Sequence, residues 1–214
     1  MKYRAVVFDL DGTLLNTLED LADAVNAALN KYNMPVCTVE QVRKYVGNGI
    51  GKLIERAVPD GRENPLFDNT FEEFCDYYGS HCMDKTKPYP GIMDMLRELK
   101  EKNMKMAIVS NKADFAVREL KEIYFQNLID TAVGEKEGLR RKPEPDMVHY
   151  ALEKLGCRPS EAVYVGDSDV DVLTAKNTGM ECISVSWGFR GREFLQNHGA
   201  ETIIDRPAEI LNFL

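Results

Sequence analysis

Between residues 17 and 84 this chain sets its apolar residues at helical spacing only, while the stretches on either side carry short apolar runs of strand length. On the N-terminal side, Tyr3-Arg4-Ala5-Val6-Val7-Phe8 is rich in β-branched residues and short enough for a buried strand. On the C-terminal side strands and helices alternate. Residues 104–110 predict a strand, 113–125 a helix and 131–134 a short strand. Pro143 and Pro145 introduce a helix with Val148, Ala151, Leu152 and Leu155 on one face. A strand follows over 162–166, a helix over 170–177 stopped by Gly179, and two last strands over 181–186 and 202–204. Such alternation specifies an α/β fold with a doubly wound parallel sheet and helices on both faces. The expected organisation is a core of residues 1–14 and 85–214 with an all-helical insertion at 15–84 after its first strand.

Inside the insertion, Leu18, Leu21, Ala22, Val25, Leu29 and Tyr32 line one helix face, and Thr17 with Asp20 three residues on predicts a capping box. Asn33-Met34-Pro35 ends that helix. Further helices are expected over 39–46, 51–58 and 66–83, with Pro59-Asp60-Gly61 as a break. Residues 17–84 hold twelve acidic and six basic side chains, so this segment carries most of the chain's formal charge of −8. That balance argues against a nucleic acid or an anionic membrane as partner. No apolar run is long enough to span a bilayer, and Met1 leads directly into the first strand. Five cysteines without a C-x-x-C pair imply a reducing compartment, and Cys75, His81 and Cys82 lack a second pair at zinc spacing. The expected location is the cytoplasm.

Chemistry-bearing residues fall where the predicted strands end, the place where open α/β sheets gather ligands. The first strand runs into Asp9 and Asp11, whose spacing of two puts both carboxylates on one face of an extended chain. Gly12 then permits a tight turn with close backbone approach to an anion. Like charges this close repel, so the pair needs a cation beside it, or one of the two must hold a proton. A hard, oxygen-ligated cation such as Mg2+ suits the first option. Ser110 and Asn111 close the strand at 104–110, where a hydroxyl and backbone amides can hold phosphoryl oxygens, although the pair also suits a helix N-cap. Lys142 precedes a helix start, where an ammonium can neutralise phosphate. Asp167 ends the strand at 162–166, Ser168 is placed as an N-cap, and Asp171 lies four residues beyond Asp167 on the same side of a helix that has begun.

Taken in chain order, Asp9-Leu10-Asp11-Gly12-Thr13-Leu14, Ser110, Lys142 and Gly166-Asp167-Ser168-Asp169-Val170-Asp171 resemble the four motifs of the haloacid dehalogenase-type phosphohydrolases. The resemblance extends over the whole chain, and residues 15–84 look like that family's helical cap. Tyr45-Val46-Gly47-Asn48-Gly49, Pro88-Tyr89-Pro90-Gly91 and Val185-Ser186-Trp187-Gly188-Phe189 are similar to stretches of the phosphoglycolate phosphatases within it. Asn16 departs from the pattern, since many relatives carry Asp there.

The resemblance implies in-line attack by Asp9 on a phosphomonoester, an aspartyl-phosphate, and hydrolysis of that ester by water. It implies Asp11 as general acid and then base, so Asp11 must carry a proton at the first step. Ser110, Asn111, Lys142 and the turn at Gly12 are implied to cradle the phosphoryl oxygens. Mg2+ is implied at Asp9, the Asp11 carbonyl and Asp167, with Asp171 nearby. The leaving group is expected to be read from the insertion, by Gly47, Asn48 and Gly49 and by the cations Arg43 and Lys52, which are as well explained as solvated helix charges. The expected substrate is a small phosphomonoester, foremost 2-phosphoglycolate, handled by a monomer or homodimer without nucleic acid or membrane. A pyrophosphatase, a broad sugar-phosphate phosphatase and a phosphomutase share the scaffold. A receiver-type phosphoryl switch uses similar residues but has no need of the helical insertion, and its acceptor Asp does not lie on the first strand.

Overall fold

The computed structural model describes residues 2–47 and 49–214. In chain order its elements are β1 (Ala5–Phe8), β2 (Leu15–Asn16), α1 (Leu18–Lys31), α2 (Val39–Tyr45), α3 (Ile50–Ala57), α4 (Phe67–His81), β3 (Lys87–Pro88), α5 (Ile92–Glu101), β4 (Lys105–Ala113), α6 (Asp114–Leu120), β5 (Thr131–Glu135), α7 (Asp146–Leu155), β6 (Ala162–Gly166), α8 (Asp169–Thr178), β7 (Glu181–Val185), α9 (Arg192–Asn197) and β8 (Thr202–Ile204). The chain divides into two compact units, Met1–Leu15 with Pro88–Leu214, and Asn16–Lys87.

The first unit is an α/β layer structure. Six strands form one sheet in the order β5-β4-β1-β6-β7-β8, and every pairing in it is parallel. Among the six, β1 comes first in sequence. The chain builds outward from it to β4 and β5 on one side, then to β6, β7 and β8 on the other. That reversal is the doubly wound, Rossmann-like arrangement, and it opens a crevice at the carboxyl ends of β1, β4 and β6. The central strands are apolar because both faces are covered: β1 and β6 are buried along their whole length. Helix α7 lays Met147, Val148, Ala151, Leu152 and Leu155 on the sheet, where they join Val7, Val109, Val133 and Tyr164 in one core cluster. Truncating a side chain such as Leu152 to Ala there costs about 2–5 kcal/mol.

Two local features matter for the site. Strand β4 loses its register with β5 between Val109 and Ala113, so residues 110–112 leave the ladder at its carboxyl end. Beyond α6 the backbone continues through a π-helical turn, Lys121–Phe125, closed by the Gln126 N–H donating to the Lys121 carbonyl at 2.8 Å. The single helix expected over 113–125 is thus shorter and ends in a wider turn.

In the second unit α1 packs along α4, burying Leu21, Val25 and Leu29 of one and Phe67, Phe74 and Tyr78 of the other. The expected capping box at Thr17 does not form. The Thr17 hydroxyl makes no cap bond. Asp20 instead turns its buried carboxylate to the returning chain and accepts the Lys85 N–H at 2.9 Å and the Thr86 N–H at 2.8 Å. Backbone donors that lack strand or helix partners draw the carboxylate more strongly than the first turn of its own helix does. A capping box is found one helix later, where Thr38 and Gln41 satisfy each other's backbone N–H. The two-residue strands β2 and β3 pair with each other.

Candidate active site

Asp9 follows β1 directly, and its own N–H donates to the Val165 carbonyl of β6 at 2.8 Å. This fixes the carboxylate at the sheet's switch point. The Lys142 ammonium donates to Asp9 Oδ1 at 2.7 Å, to Asp171 Oδ1 at 2.8 Å and to the Tyr164 hydroxyl at 3.1 Å. Tyr164 in turn donates to Asp171 Oδ1 at 3.2 Å. Asp9, Lys142, Tyr164 and Asp171 are all buried. Burial works against the Lys142 charge, but Asp171 and Asp9 outweigh it and hold the ammonium well above the usual lysine range. Burial pushes Asp9 upward, with Lys142 pulling it back and the charges of Asp171 and Asp167 adding to the rise.

Asp167, at the end of β6, is gripped at both oxygens. The Thr13 hydroxyl donates to Oδ1 at 3.4 Å and the Phe189 N–H to Oδ2 at 2.7 Å. Burial and the neighbouring Asp171 push it up to about 7. The backbone closes tightly around it. Gly12 has φ +89°, and a Cβ there would stand 2.5 Å from Asp167 Oδ2. A Cβ on Gly188 would stand 2.3 Å from Asp167 Cβ and 2.4 Å from the Gly12 carbonyl oxygen. The Trp187 indole N–H, from the same loop, donates to the Thr13 carbonyl at 3.0 Å.

Asp9, Asp167 and Asp171 each offer an oxygen within 4.8 Å of the other two. Three buried carboxylates this close, two of them raised by burial and mutual repulsion, form a donor set that suits a hard divalent cation. Asp171 stands apart within the set, because each of its oxygens already accepts two hydrogen bonds from the protein, where those of Asp167 accept one each. Oδ1 meets Lys142 and Tyr164, and Oδ2 accepts the Ser168 hydroxyl at 2.6 Å and the Ser168 N–H at 3.1 Å. Ser168 is the N-cap of α8, and its hydroxyl accepts the Asp171 N–H in return.

Asp11 is held from β4. The Ser110 hydroxyl donates to Asp11 Oδ2 at 3.3 Å, and Lys112 Nζ lies 3.3 Å from Asp11 Oδ1. The side chain of Asn111 is spent on Lys142: it donates to the Lys142 carbonyl at 3.0 Å and accepts the Lys142 N–H at 2.8 Å. What Asn111 has to offer a phosphoryl oxygen is therefore backbone, while its amide aims the lysine.

The expected residues of the insertion lie in the second unit. Arg43 Nε is 3.3 Å from Glu40 of its own helix, and Lys52 Nζ is 2.6 Å from Glu55 of its own helix. Gly49 is the N-cap of α3, and the Gly47 carbonyl accepts Arg56 at 3.2 Å. Asn48 lies outside the described residues. Sequence reasoning passed over Lys112 and Tyr164, and it singled out the loop at Trp187–Phe189 only as similar to the phosphoglycolate phosphatases, without a role at the site. Lys112 had a usable signal, since it stands two residues beyond Ser110 and a strand repeats with that period.

The model of the haloacid dehalogenase-like hydrolase family matches residues 6–185, and the chain belongs to that family. Its relatives make it an enzyme of the phosphatase type. It is 33% identical to the phosphoglycolate phosphatase of Pseudomonas putida, in an alignment covering 99% of this chain and 77% of the relative. With the phosphoglycolate phosphatase of Chromobacterium violaceum the identity is 31%, over 99% of this chain and 96% of the relative. A solved structure from Lactobacillus delbrueckii subsp. bulgaricus, provisionally named a phosphoglycolate phosphatase, superposes with a TM-score of 0.94 at 38% identity, covering 98% of this chain and 97% of its own.

Proposed function

We propose that this chain is a Mg2+-dependent phosphomonoester hydrolase that works through an aspartyl-phosphate on Asp9, with 2-phosphoglycolate as its substrate. The observation that carries the reading is the buried Asp9 carboxylate, 2.7 Å from Lys142 and clustered with Asp167 and Asp171. The names of the relatives supply the substrate.

On this reading Asp9 is the nucleophile and the phosphorylated group. A carboxylate suffices because phosphoryl transfer depends chiefly on positioning and charge neutralisation. Lys142, aimed by Asn111, binds the phosphoryl oxygens together with Ser110 and the backbone of the turn at Gly12. Asp11 gives a proton to the departing alcohol oxygen and then takes one from the water that attacks the aspartyl-phosphate. Mg2+, held by Asp9, the Asp11 carbonyl and Asp167 with Asp171 nearby, supplies the positive charge that offsets repulsion between nucleophile and phosphate. Thr13 and Phe189 keep the Asp167 carboxylate oriented toward that task. Residues 15–84 serve as the cap that selects the leaving group, on a cytoplasmic enzyme. Among the described residues no helix is long and apolar enough to cross a membrane.

The test is Mg2+-dependent phosphate release from 2-phosphoglycolate, pyrophosphate, sugar phosphates and nucleotides, with Asp9→Asn beside the wild type. Selective release from 2-phosphoglycolate that disappears in Asp9→Asn supports the whole reading. Turnover of another panel member keeps the mechanism and replaces the substrate. Release from none of them overturns it.

A further inference from the structure

The turn after β1 presents two carboxylates, and each has a lysine of its own. Asp9 has Lys142 at 2.7 Å. Asp11 has Lys112 at 3.3 Å. The second pair is built from β4 alone: Ser110 and Lys112, two residues apart, approach the two oxygens of Asp11, and the Lys112 N–H donates back to the Ser110 hydroxyl at 3.2 Å. The Lys112 side chain is only 8% exposed. Removing an ammonium from water is costly unless opposite charge meets it, so its place beside Asp11 calls for a reason.

Lys142 already brings positive charge to the nucleophile and the phosphoryl group. Lys112 instead meets Asp11, the carboxylate read as the general acid. A general acid must come within hydrogen-bond reach, about 2.6–3.2 Å, of the oxygen it protonates. An ammonium in contact with that same carboxylate is therefore close to whatever the departing oxygen carries. It carries a full positive charge.

We propose that Lys112 is a specificity-determining residue, which selects phosphate esters and anhydrides whose leaving group is itself anionic. The proposal rests on the phosphatase reading above and on Asp11 as its general acid. A carboxylate on the departing alcohol is stabilised by the ammonium, a neutral substituent gains nothing from it, and a cationic one is repelled.

Three substrates with two-carbon leaving groups separate these cases: 2-phosphoglycolate (anionic), 2-hydroxyethyl phosphate (neutral) and phosphoethanolamine (cationic). Steady-state kcat/KM for the wild type should fall in that order. Lys112→Met should compress the ratio of the first to the second by about 10- to 100-fold, the value of a charge-assisted contact, chiefly through KM for 2-phosphoglycolate. Lys112→Arg should keep the order. Lys112→Gln repeats the test with a polar side chain should the Met variant fold poorly, and melting curves report on folding in each case. Wild-type turnover without a charge order overturns the proposal and leaves the phosphatase standing. The same holds if Lys112→Met lowers kcat equally on all three substrates, since Lys112 then only positions Asp11. A wild type silent on all three overturns this proposal. Release from pyrophosphate, a sugar phosphate or a nucleotide would still keep the phosphatase mechanism, and only silence on that wider panel as well sinks the phosphatase reading.

Discussion

Asn111 and Lys142 are joined twice: the Asn111 amide donates to the Lys142 carbonyl at 3.0 Å and accepts the Lys142 N–H at 2.8 Å. The pair ties the end of β4 to the loop before α7. A long, flexible side chain needs such an anchor if its ammonium is to meet Asp9 and Asp171 together.

Replacing Asn111 by Ala should therefore act through Lys142. The ammonium loses its fixed origin while every charged group stays present. kcat should fall by about 10^2-fold, the effect of a misplaced catalytic group, with a modest drop in melting temperature. Asn111→Asp keeps one acceptor for the Lys142 N–H and should recover part of the loss. Steady-state kinetics of the three proteins would settle the point, and wild-type kcat in Asn111→Ala would contradict it.

Asp171 carries a structural load as well as a place in the acidic cluster. It neutralises the buried Lys142 with one oxygen and caps α8 with the other. Asp171→Asn leaves an incompletely matched buried ammonium, which typically costs about 3–5 kcal/mol. Urea unfolding of the variant should show a loss of that order, together with loss of phosphatase activity. An unchanged unfolding midpoint would mean that the ammonium finds other compensation.

The loop after β7 should control cation affinity through space alone. Gly188 leaves no room for a methyl group between Asp167 and the Gly12 carbonyl. Gly188→Ala must push Asp167 away from its partners at Thr13 and Phe189. Disturbing groups behind a metal ligand weakens binding by about 10- to 100-fold. Calorimetric titration with MgCl2 should show that weakening in Gly188→Ala, and equal affinity in the two proteins would count against this account of the loop.

Legibility in the sequence followed the range of the interactions. Strands β6 and β8 stand out because apolar runs bounded by turn residues carry their own signal. Strands β2 and β3 hold two residues each, too few for any period. In the site, the clustering of Asp9, Lys142 and Asp167 was readable from motif order. Tyr164 was not, because a tyrosine inside an apolar strand reads as core. Its partners Asp171 and Lys142 lie 7 and 22 residues away in the chain. The π-helical turn after α6 is defined by backbone hydrogen bonding, closed by the Gln126 N–H on the Lys121 carbonyl, which no apolar period encodes.

Asp20 shows the same limit from the stability side, and it permits a clean separation of charge from shape. Local spacing assigned it to a cap at Thr17, yet its carboxylate accepts two backbone N–H groups that lie 65 and 66 residues away. The carboxylate is buried, so Asp20→Ala strands both donors and removes a charge-assisted acceptor. The expected loss of stability is about 2–3 kcal/mol. Asp20→Asn keeps an acceptor oxygen of nearly the same shape and should lose less, because one of the two donors can still be satisfied. In a capping box at Thr17 the Asp20 carboxylate would accept only the single Thr17 N–H, and Asp20→Ala would lose about 1 kcal/mol. Thermal unfolding of the two variants beside the wild type therefore distinguishes a long-range clamp on Lys85 and Thr86 from a local helix cap.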